Sequence, residues 1–413
     1  MMRISTSQFY NQNIQTMDNQ QSQLGTYYQQ LSSGTALTTP ADNPLAAAQA
    51  VQLTMTSATL TQYQSNQNSA LSSLQLEDKT LSSVTNTMTT IVSELTRAGD
   101  GTLNDTDRAS IAQALQGYRS QLLNLANTSD GAGNYLFSGF QATTAPFTNA
   151  VGGGVNYQGD NGIREAQVTD TRQVATNDSG SSVFLTVPAV GTSPVAASAA
   201  SNTGTGLIGA PSITNPAIAT NADNYTITFG GTPAAPTYTV TDNTAVPPTT
   251  TAATAFNANT PIALGSGMQV AIKGAPAPGD TFSVTPATTP QNSSVFATLD
   301  AIISALQQPA NNNPTATATQ SNALTTAVSR FQNSLTNVTV VQASVGGREQ
   351  ELQALQTTTR TNSTQTQSNL ADLTGVDMVT AITKFEQTQS ALQAAQQTFV
   401  KMQGMSLFQY IGG

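Results

Sequence analysis

The sequence predicts a mainly α-helical protein with an inserted β domain: an elongated antiparallel helical rod, with coiled-coil-like termini, carrying an outward, mostly β domain. Segments near both ends place apolar residues at alternating four- and three-residue steps, which is typical of helices that pack lengthwise on one another. Between about 139 and 290 the apolar period falls to two, which is typical of strands.

The two ends, 1–43 and 373–413, are predicted to be coiled-coil segments. In the first, the apolar steps run from Tyr10 to Leu31, and the helix should end near Ser32-Ser33-Gly34. In the second, they run from Met378 to Phe399. Two such thin helices bury too little apolar surface to offset the entropy of ordering them. We therefore expect the termini to be disordered in the monomer and to fold against neighbouring subunits.

The segments 44–138 and 291–372 are predicted to be the two halves of the helical rod. Asn43-Pro44 is a helix start signal, and a heptad stripe then continues toward Ala98 over roughly 80 Å. A further helix should begin within 104–107. The later half repeats the apolar stripe, and Gly346-Gly347 interrupts it.

The segment 139–290 is predicted to be a variable, mostly β domain. Tyr225, Ile227 and Phe229 alternate with threonines before a Gly-Gly pair, and similar alternation occurs near Val240, 268–272 and 282–284. Asp160-Asn161-Gly162 is a tight-turn signal and predicts a hairpin between Tyr157 and Val168.

Composition excludes several classes of function. The chain has no Cys, His or Trp, so disulfides, Cys or His metal ligands and His-based catalysis are absent. A net charge of −9 without a basic cluster argues against binding to nucleic acid and to acidic membranes. No apolar run is long enough for a signal peptide or a membrane span, so we expect a soluble protein exported without a cleaved signal.

The local motifs are weak. Gly204–Gly209 fits the dinucleotide-binding GxGxxG pattern, but no strand precedes it and prolines follow, so a flexible loop is expected. Asp105 with Asp107, and Asp160 with Asn161, lack the later ligands of a calcium loop, so caps and turns are expected instead. Glu77-Asp78 should face solvent, although Glu77 falls on a seam position and could contact a partner.

Several segments together resemble one family. They are Met2-Arg3-Ile4-Ser5-Thr6, Leu31-Ser32-Ser33-Gly34, Ala41-Asp42-Asn43-Pro44, the stretches 130–140, 157–160 and 279–282, and Ser406-Leu407-Phe408-Gln409-Tyr410-Ile411. The chain resembles the flagellin superfamily, specifically its members at the junction of the bacterial flagellar hook and filament. The resemblance implies an inner layer of terminal helices, a surrounding rod of long helices and an outward β domain.

The resemblance also implies function and partners. It implies a structural adaptor with no catalytic residue, no cofactor and no metal, outside the cell at the hook-filament junction. It further implies self-association in a ring, contacts with a neighbouring hook-associated protein and flagellin, type III export, and an export chaperone near the C-terminus. The assembly contacts are then expected to be Tyr10, Ile14, Met17, Leu24, Leu31, Phe385, Leu392, Phe399, Leu407 and Phe408.

Three alternatives remain open at this point. Flagellin shares the architecture, but its usual start has an Ile-Asn-Thr-Asn element and a basic Arg-Leu before Ser-Ser-Gly. This chain has Arg3-Ile4-Ser5-Thr6 and Gln30-Leu31 instead. A surface adhesin with a helical stalk would need an anchor, and none is evident. An exported hydrolase would need a clustered acidic pair within the β domain, which the sequence lacks.

Overall fold

The computed structural model describes the backbone of residues 6–411 and the side chains of Gln8 and of residues 10–401. Helices account for 54% of the chain, and the strands among the described residues all lie in one insertion, so the predicted fold class is confirmed. The helices are α1 (Thr6–Ser33), α2 (Pro44–Ala98), α3 (Asp105–Ala126), α4 (Gly180–Phe184), α5 (Pro290–Ser293), α6 (Val295–Leu306), α7 (Pro314–Thr374) and α8 (Met378–Ile411). None of those described is long and apolar enough to cross a bilayer.

The chain divides into two compact units. The terminal unit contains residues up to Ser65 and from Leu355 onward, and the central unit contains Asn66–Ala354. The boundary falls within α2 and α7, so the terminal unit contains α1, α8 and one end of each long helix. The β insertion lies within the central unit.

The strands of the insertion form only antiparallel pairs among the residues described. They are β1 (Phe147–Asn149), β2 (Val155–Tyr157), β3 (Glu165–Gln167), β4 (Gln173–Ala175), β5 (Val195–Ser198), β6 (Leu207–Ile208), β7 (Ser212–Ile213), β8 (Tyr225–Thr232), β9 (Ala235–Asp242), β10 (Thr249–Thr250), β11 (Thr254–Ala255), β12 (Ile262–Leu264), β13 (Met268–Val270), β14 (Ile272–Lys273) and β15 (Thr281–Thr285). The largest sheet has the order β10-β9-β8-β15-β5, with β11 also paired to β9. A three-stranded sheet has the order β12-β13-β7, and the pairs β1-β2, β3-β4 and β14-β6 complete the set.

The heptad stripe of α2 forms a helical core in the central unit, as predicted. Leu74, Leu81, Met88 and Leu95 occupy one heptad position and are at most 1% exposed. Val84 and Ile91 occupy the partner position and are fully buried. On α7 the stripe continues through Gly346 and Gly347 without a break, because Val345 and Leu352 on either side remain fully buried.

The central hairpin of the largest sheet confirms the period-two pattern. Tyr225, Ile227 and Phe229 are buried while the threonines between them are half-buried. Phe229 packs edge-on against Phe282 of β15, with ring centroids 5.8 Å apart, and against Phe256 at 5.0 Å. These aromatic contacts join three segments of the β region around one core.

We predict that Phe229→Ala lowers the free energy of unfolding of the central unit by about 3–5 kcal/mol, because it removes a buried ring and leaves a cavity. Thr228→Ala, on the other face of the same strand, should cost under about 1 kcal/mol. Urea unfolding followed by circular dichroism measures both. Equal losses in the two variants would contradict this assignment of the core.

Amide side chains of α7 hold the β region through its backbone. Asn322 accepts from the Ile208 N–H at 2.9 Å and donates to the Gly206 carbonyl at 2.9 Å. Asn333 makes the same two-way contact with the backbone of Ser193, and Asn337 donates to the Ser182 carbonyl at 2.7 Å. Buried amides paired in this way leave few unsatisfied groups. Part of the unusual amide content therefore serves internal contacts.

The predicted hairpin around Asp160-Asn161-Gly162 does not form, so this prediction is wrong. The strand before the turn, β2, pairs with β1, and the strand after it, β3, pairs with β4. The Asp160 carboxylate instead accepts from the Phe140 N–H and the Gly162 N–H, both at 2.8 Å. The turn is thereby tied to the 137–140 loop, and the flanking strands pair with other strands.

The Gly204–Gly209 segment is neither a dinucleotide loop nor a flexible one. The short strand β6 lies within it, and no helix follows before Pro216 among the residues described. Gly204 donates its N–H to the Asp280 carboxylate, and Asn322 binds the backbone further along. The segment is therefore held in place by side chains more than 70 residues away in sequence.

The acidic pairs weighed as calcium ligands act as caps, as expected. Asn104 and Asp107 form a reciprocal capping box at the start of α3. The Asp105 carboxylate accepts from the backbone of Ala310 and Asn311 and pairs with Arg108 at 2.6 Å. These hydrogen bonds hold the pKa of Asp105 below its usual value.

Candidate assembly interface

The terminal unit is built around α1 and α8, which pack against each other. Tyr10 of α1 lies with its ring centroid 4.8 Å from that of Phe399 of α8. At the other end of α1, the Ala36 N–H donates to the Thr374 carbonyl at 2.7 Å and the Val376 N–H donates to the Gly34 carbonyl. The two chain segments are thus paired along their length.

A capped turn leads from α1 into α2, as the sequence predicts. The Asp42 carboxylate accepts from the backbone N–H groups of Thr38 and Thr39, which lowers its pKa. Asn43 accepts from the Ala46 N–H at 3.1 Å and so caps α2, with Pro44 in the first helical position.

The expected assembly residues are only partly covered within the chain. Tyr10 is 38% exposed, and the others described are half-buried, namely Ile14, Met17, Leu24, Leu31, Phe385, Leu392 and Phe399. The side chains of Leu407 and Phe408 fall outside the described residues, although α8 extends to Ile411. The structure brings the two stripes together without burying either completely.

The terminal unit has almost no core of its own. Among its described side chains, the buried hydrophobic ones are two alanines, Ala46 and Ala381. Large apolar side chains are exposed instead, including eight that are not among the expected assembly contacts: Tyr28, Leu45, Val51, Met55, Met378, Val379, Ile382 and Val400. Apolar exposure on this scale is typical of surfaces that bind other proteins.

Charge is sparse on the same surface. Between Gln8 and Ser65 the charged side chains are Asp18 and Asp42, and between Leu355 and Lys401 they are Arg360, Asp372, Asp377, Lys384, Glu386 and Lys401. Interface cores are depleted of charge, since desolvating an ion costs more than desolvating an amide or a hydroxyl. The surface therefore combines exposed apolar groups with neutral polar ones.

The prediction that Glu77 faces solvent is wrong. Glu77 occupies the same heptad position as Val84 and Ile91, and its side chain is fully buried. One carboxylate oxygen accepts from the Asp178 N–H at 3.1 Å. The other oxygen forms no hydrogen bond with any described residue. Next to it, Asp178 forms an ion pair with Arg348 of α7.

The surroundings of Glu77 favour its protonated form. Burial is the largest cause that raises its pKa, and the nearby Asp178 charge adds to it, giving a pKa of about 8. Arg348 acts in the opposite direction but is paired with Asp178. Because this carboxyl group is fully buried, a substrate cannot reach it, so Glu77 is not placed for acid/base chemistry on a substrate.

The chain is similar to known flagellar proteins over almost its whole length. A model of the bacterial flagellin N-terminal helical region matches residues 4–142. The flagellar hook-associated protein 3 of Salmonella typhimurium (strain LT2) is 29% identical over 408 residues, which cover 99% of both chains. The protein of the same name from Escherichia coli (strain K12) gives the same identity and coverage.

Solved structures agree with the sequence comparison. The crystal structure of flagellar hook-associated protein 3 from Legionella pneumophila has a TM-score of 0.69 and 26% identity, covering 78% of this chain and 98% of that one. The crystal structure of FlgL from Xanthomonas campestris has a TM-score of 0.67 and 26% identity, covering 76% and 98%. The resemblance seen in the sequence is thus confirmed: residues 4–142 match the flagellin N-terminal helical region, and the chain is similar to flagellar hook-associated protein 3 over 99% of both chains.

Proposed function

We propose that this chain is a structural adaptor of the bacterial flagellum that joins a hook-side protein to the flagellin filament by helix packing. Similarity to hook-associated protein 3 over 99% of both chains carries the proposal, because it includes both terminal segments and the β region. A Legionella pneumophila relative is described as a flagellar junction protein, and its structure matches 79% of this chain with a TM-score of 0.66.

The terminal unit supplies the physical basis for assembly. Its helices expose apolar side chains and bury almost none, so they gain stability when neighbouring subunits cover them. The contacts we propose are Tyr10, Ile14, Met17, Leu24, Leu31, Phe385, Leu392 and Phe399, together with Leu407 and Phe408. No chemical step is required of any residue in this role, so the proposed protein is not an enzyme.

Location and partners follow from the same role. An adaptor at a tubular junction would self-associate in a ring, with one face toward a neighbouring hook-associated protein and the other toward flagellin. It would lie outside the cell at the hook-filament junction, exported without a cleaved signal peptide. A chaperone binding near the C-terminus would cover the apolar face of α8 before export. These partners are parts of the proposal.

We also propose a structural role for each segment of the chain. Segments 1–43 and 373–413 would form the coiled-coil contacts, and 44–138 with 291–372 would form the helical rod domain. The segment 139–290 would be the outward β domain. The β region has its own aromatic core, and amide side chains of α7 bind its backbone. Both features fit a folded module rather than a disordered loop.

Deleting the gene tests the proposed function against the flagellin and adhesin alternatives. The adaptor role predicts cells that complete their hooks, release flagellin into the medium and carry no attached filaments. A flagellin role predicts that the major filament protein itself disappears from both cells and medium. An adhesin role predicts normal filaments. Electron microscopy of the cells and electrophoresis of the medium distinguish these results.

Protease digestion tests the proposed dependence of the termini on neighbours. In dilute monomer, proteinase K should cut within 6–33 and 378–401 at least about tenfold faster than within the central unit, because α1 and α8 lack a core to resist local unfolding. Mass spectrometry of the products identifies the sites. Termini that resist as long as the central unit would overturn the proposal.

A further inference from the structure

A groove lies between α6 and α7 beside the edge strand β5. It encloses about 230 Å³ and is lined by residues that include Ala197, Ile302, Ala323, Ala327 and Arg330. At roughly 30 Å³ per water molecule, it has room for a small organic molecule. Small side chains leave the space open between the two helices, and one charged side chain lines it.

Arg330 is the unusual member of this groove. It is half-buried, and its Nε donates to Asn292 Oδ1 at 3.1 Å. The Asn292 amide nitrogen is itself engaged by Thr285, Pro286 and Thr289, which fixes the direction of its oxygen. Among the described residues, none places a carboxylate within 4.0 Å of the Arg330 guanidinium or accepts a hydrogen bond from its Nη atoms.

Three of the other arginines of the central unit lie largely buried beside a carboxylate, whereas the half-buried Arg164 donates to the backbone carbonyls of Tyr135 and Leu136. Arg119 pairs with Asp300 at 2.5 Å, Arg108 pairs with Asp105, and Arg348 pairs with Asp178. Burial lowers the pKa of Arg330, and no neighbouring carboxylate opposes that effect. A half-buried cation normally has an anionic partner, because its lost hydration is otherwise uncompensated.

We propose that this groove binds a small carboxylate, whose oxygens accept from the two Nη groups of Arg330 and whose hydrocarbon part lies along Ile302 and the alanines. The planar fork of a guanidinium matches a carboxylate in two parallel hydrogen bonds. Six of the eleven lining residues are apolar, and the hydroxyls of Thr298, Thr319 and Thr326 already donate to backbone carbonyls. The lining therefore favours an acid with a short hydrocarbon chain over inorganic phosphate, which would leave most of its oxygens unpaired there. This inference is independent of the proposed role in assembly.

Saturation-transfer NMR with the full-length protein and butyrate tests the proposal. Butyrate should bind the wild-type chain and be about tenfold or more weaker with Arg330→Gln, which loses the charged donors. Ala323→Leu, which fills the groove and keeps the arginine, should weaken binding as well. Arg360→Gln, at an exposed arginine of the same helix, should leave it unchanged.

Two further ligands complete the test. Butan-1-ol should bind far more weakly than butyrate, and inorganic phosphate should not displace butyrate at equal concentration. Unchanged butyrate binding in Arg330→Gln, equal binding of the alcohol, or displacement by phosphate would each overturn the proposal. Circular dichroism of both groove variants verifies that they fold, and if either does not, Ala301→Leu at the exposed rim of the groove replaces it.

The groove volume of about 230 Å³ suits a free short-chain acid, and the competing occupant is an acidic side chain of a second copy of the chain. Sedimentation velocity over a range of concentrations separates the two sources. Association that is lost in Arg330→Gln and reversed by butyrate identifies the side chain. Butyrate binding to a protein that remains monomeric throughout identifies the free acid.

Discussion

Glu77→Gln is expected to stabilise the central unit at alkaline pH by roughly 3–5 kcal/mol while changing its stability little at pH 4. Folding raises the pKa of Glu77 from 4.5 to about 8. The folded state therefore binds more protons than the unfolded state between these values, so stability is full below pH 4.5 and is lost as the pH rises through about 8. Each unit of pKa shift corresponds to about 1.4 kcal/mol.

The glutamine is a close mimic of the protonated acid. Its carbonyl oxygen can keep the hydrogen bond from the Asp178 N–H, and its amide can donate to the Asp178 carboxylate without carrying charge. The variant should therefore lose the alkaline fall in stability. Urea unfolding of the central unit at pH 4.5, 7 and 9, in wild type and variant, measures the difference.

Glu165→Gln is the matched control, since Glu165 is an exposed acid of the same unit. It should leave the dependence of stability on pH unchanged. If wild type and Glu77→Gln fall in parallel between pH 5 and 9, Glu77 is not buried as an acid, and the packing of α2 described above is incorrect.

Leu24→Asp is expected to abolish attached filaments while leaving the central unit as stable as in the wild type. Leu24 is half-buried on the face of α1 that we propose neighbouring subunits cover. An unpaired carboxylate buried there would cost several kcal/mol, and about 4 kcal/mol already weakens association roughly a thousandfold.

Ser22→Asp adds the same charge to the same helix. Ser22 is exposed and lies two residues away, about 200° around the helix axis from Leu24. It should therefore retain filaments. Each variant would replace the native gene, and the filaments per cell would be counted by electron microscopy to compare the two variants. Normal filaments with Leu24→Asp would exclude this face of α1 from assembly.

Periodicity predicted the helices well because it reports on burial along one face. The limits of α2 and the cap at Asn43-Pro44 were evident from the sequence, and so was the buried stripe from Leu74 to Leu95. The same pattern placed Glu77 on the seam. It could not reveal that a segment about 100 residues later, at Asp178, covers the carboxyl group.

Contacts between distant segments account for the errors in the β region. A tight-turn sequence at Asp160-Asn161-Gly162 fixes the local chain direction but not which strands pair. In the structure, the Phe140 N–H donates to Asp160 and β2 pairs with β1, so the predicted hairpin does not form. The Gly204–Gly209 segment was expected to be flexible because nothing local restrains it, and its restraints come from Asp280 and Asn322.

The candidate interface was only half visible in the sequence. The stepping of apolar residues selected Tyr10 and Phe399, whose rings lie against each other. It did not select Leu45, Val51 and Met55 at the start of α2, which are 61–71% exposed. Their spacing is that of a helix face that packs against another surface. Only the structure shows that none of the described residues of the chain covers these side chains.

Immunogold electron microscopy of detached flagella tests the adaptor role most directly. An antibody raised against the 139–290 region would be used, since that region is proposed to face outward. The adaptor role predicts label at the hook end of each filament and nowhere else. Label along the whole filament would make the chain a filament subunit, and flagella without label would contradict a place in the flagellum.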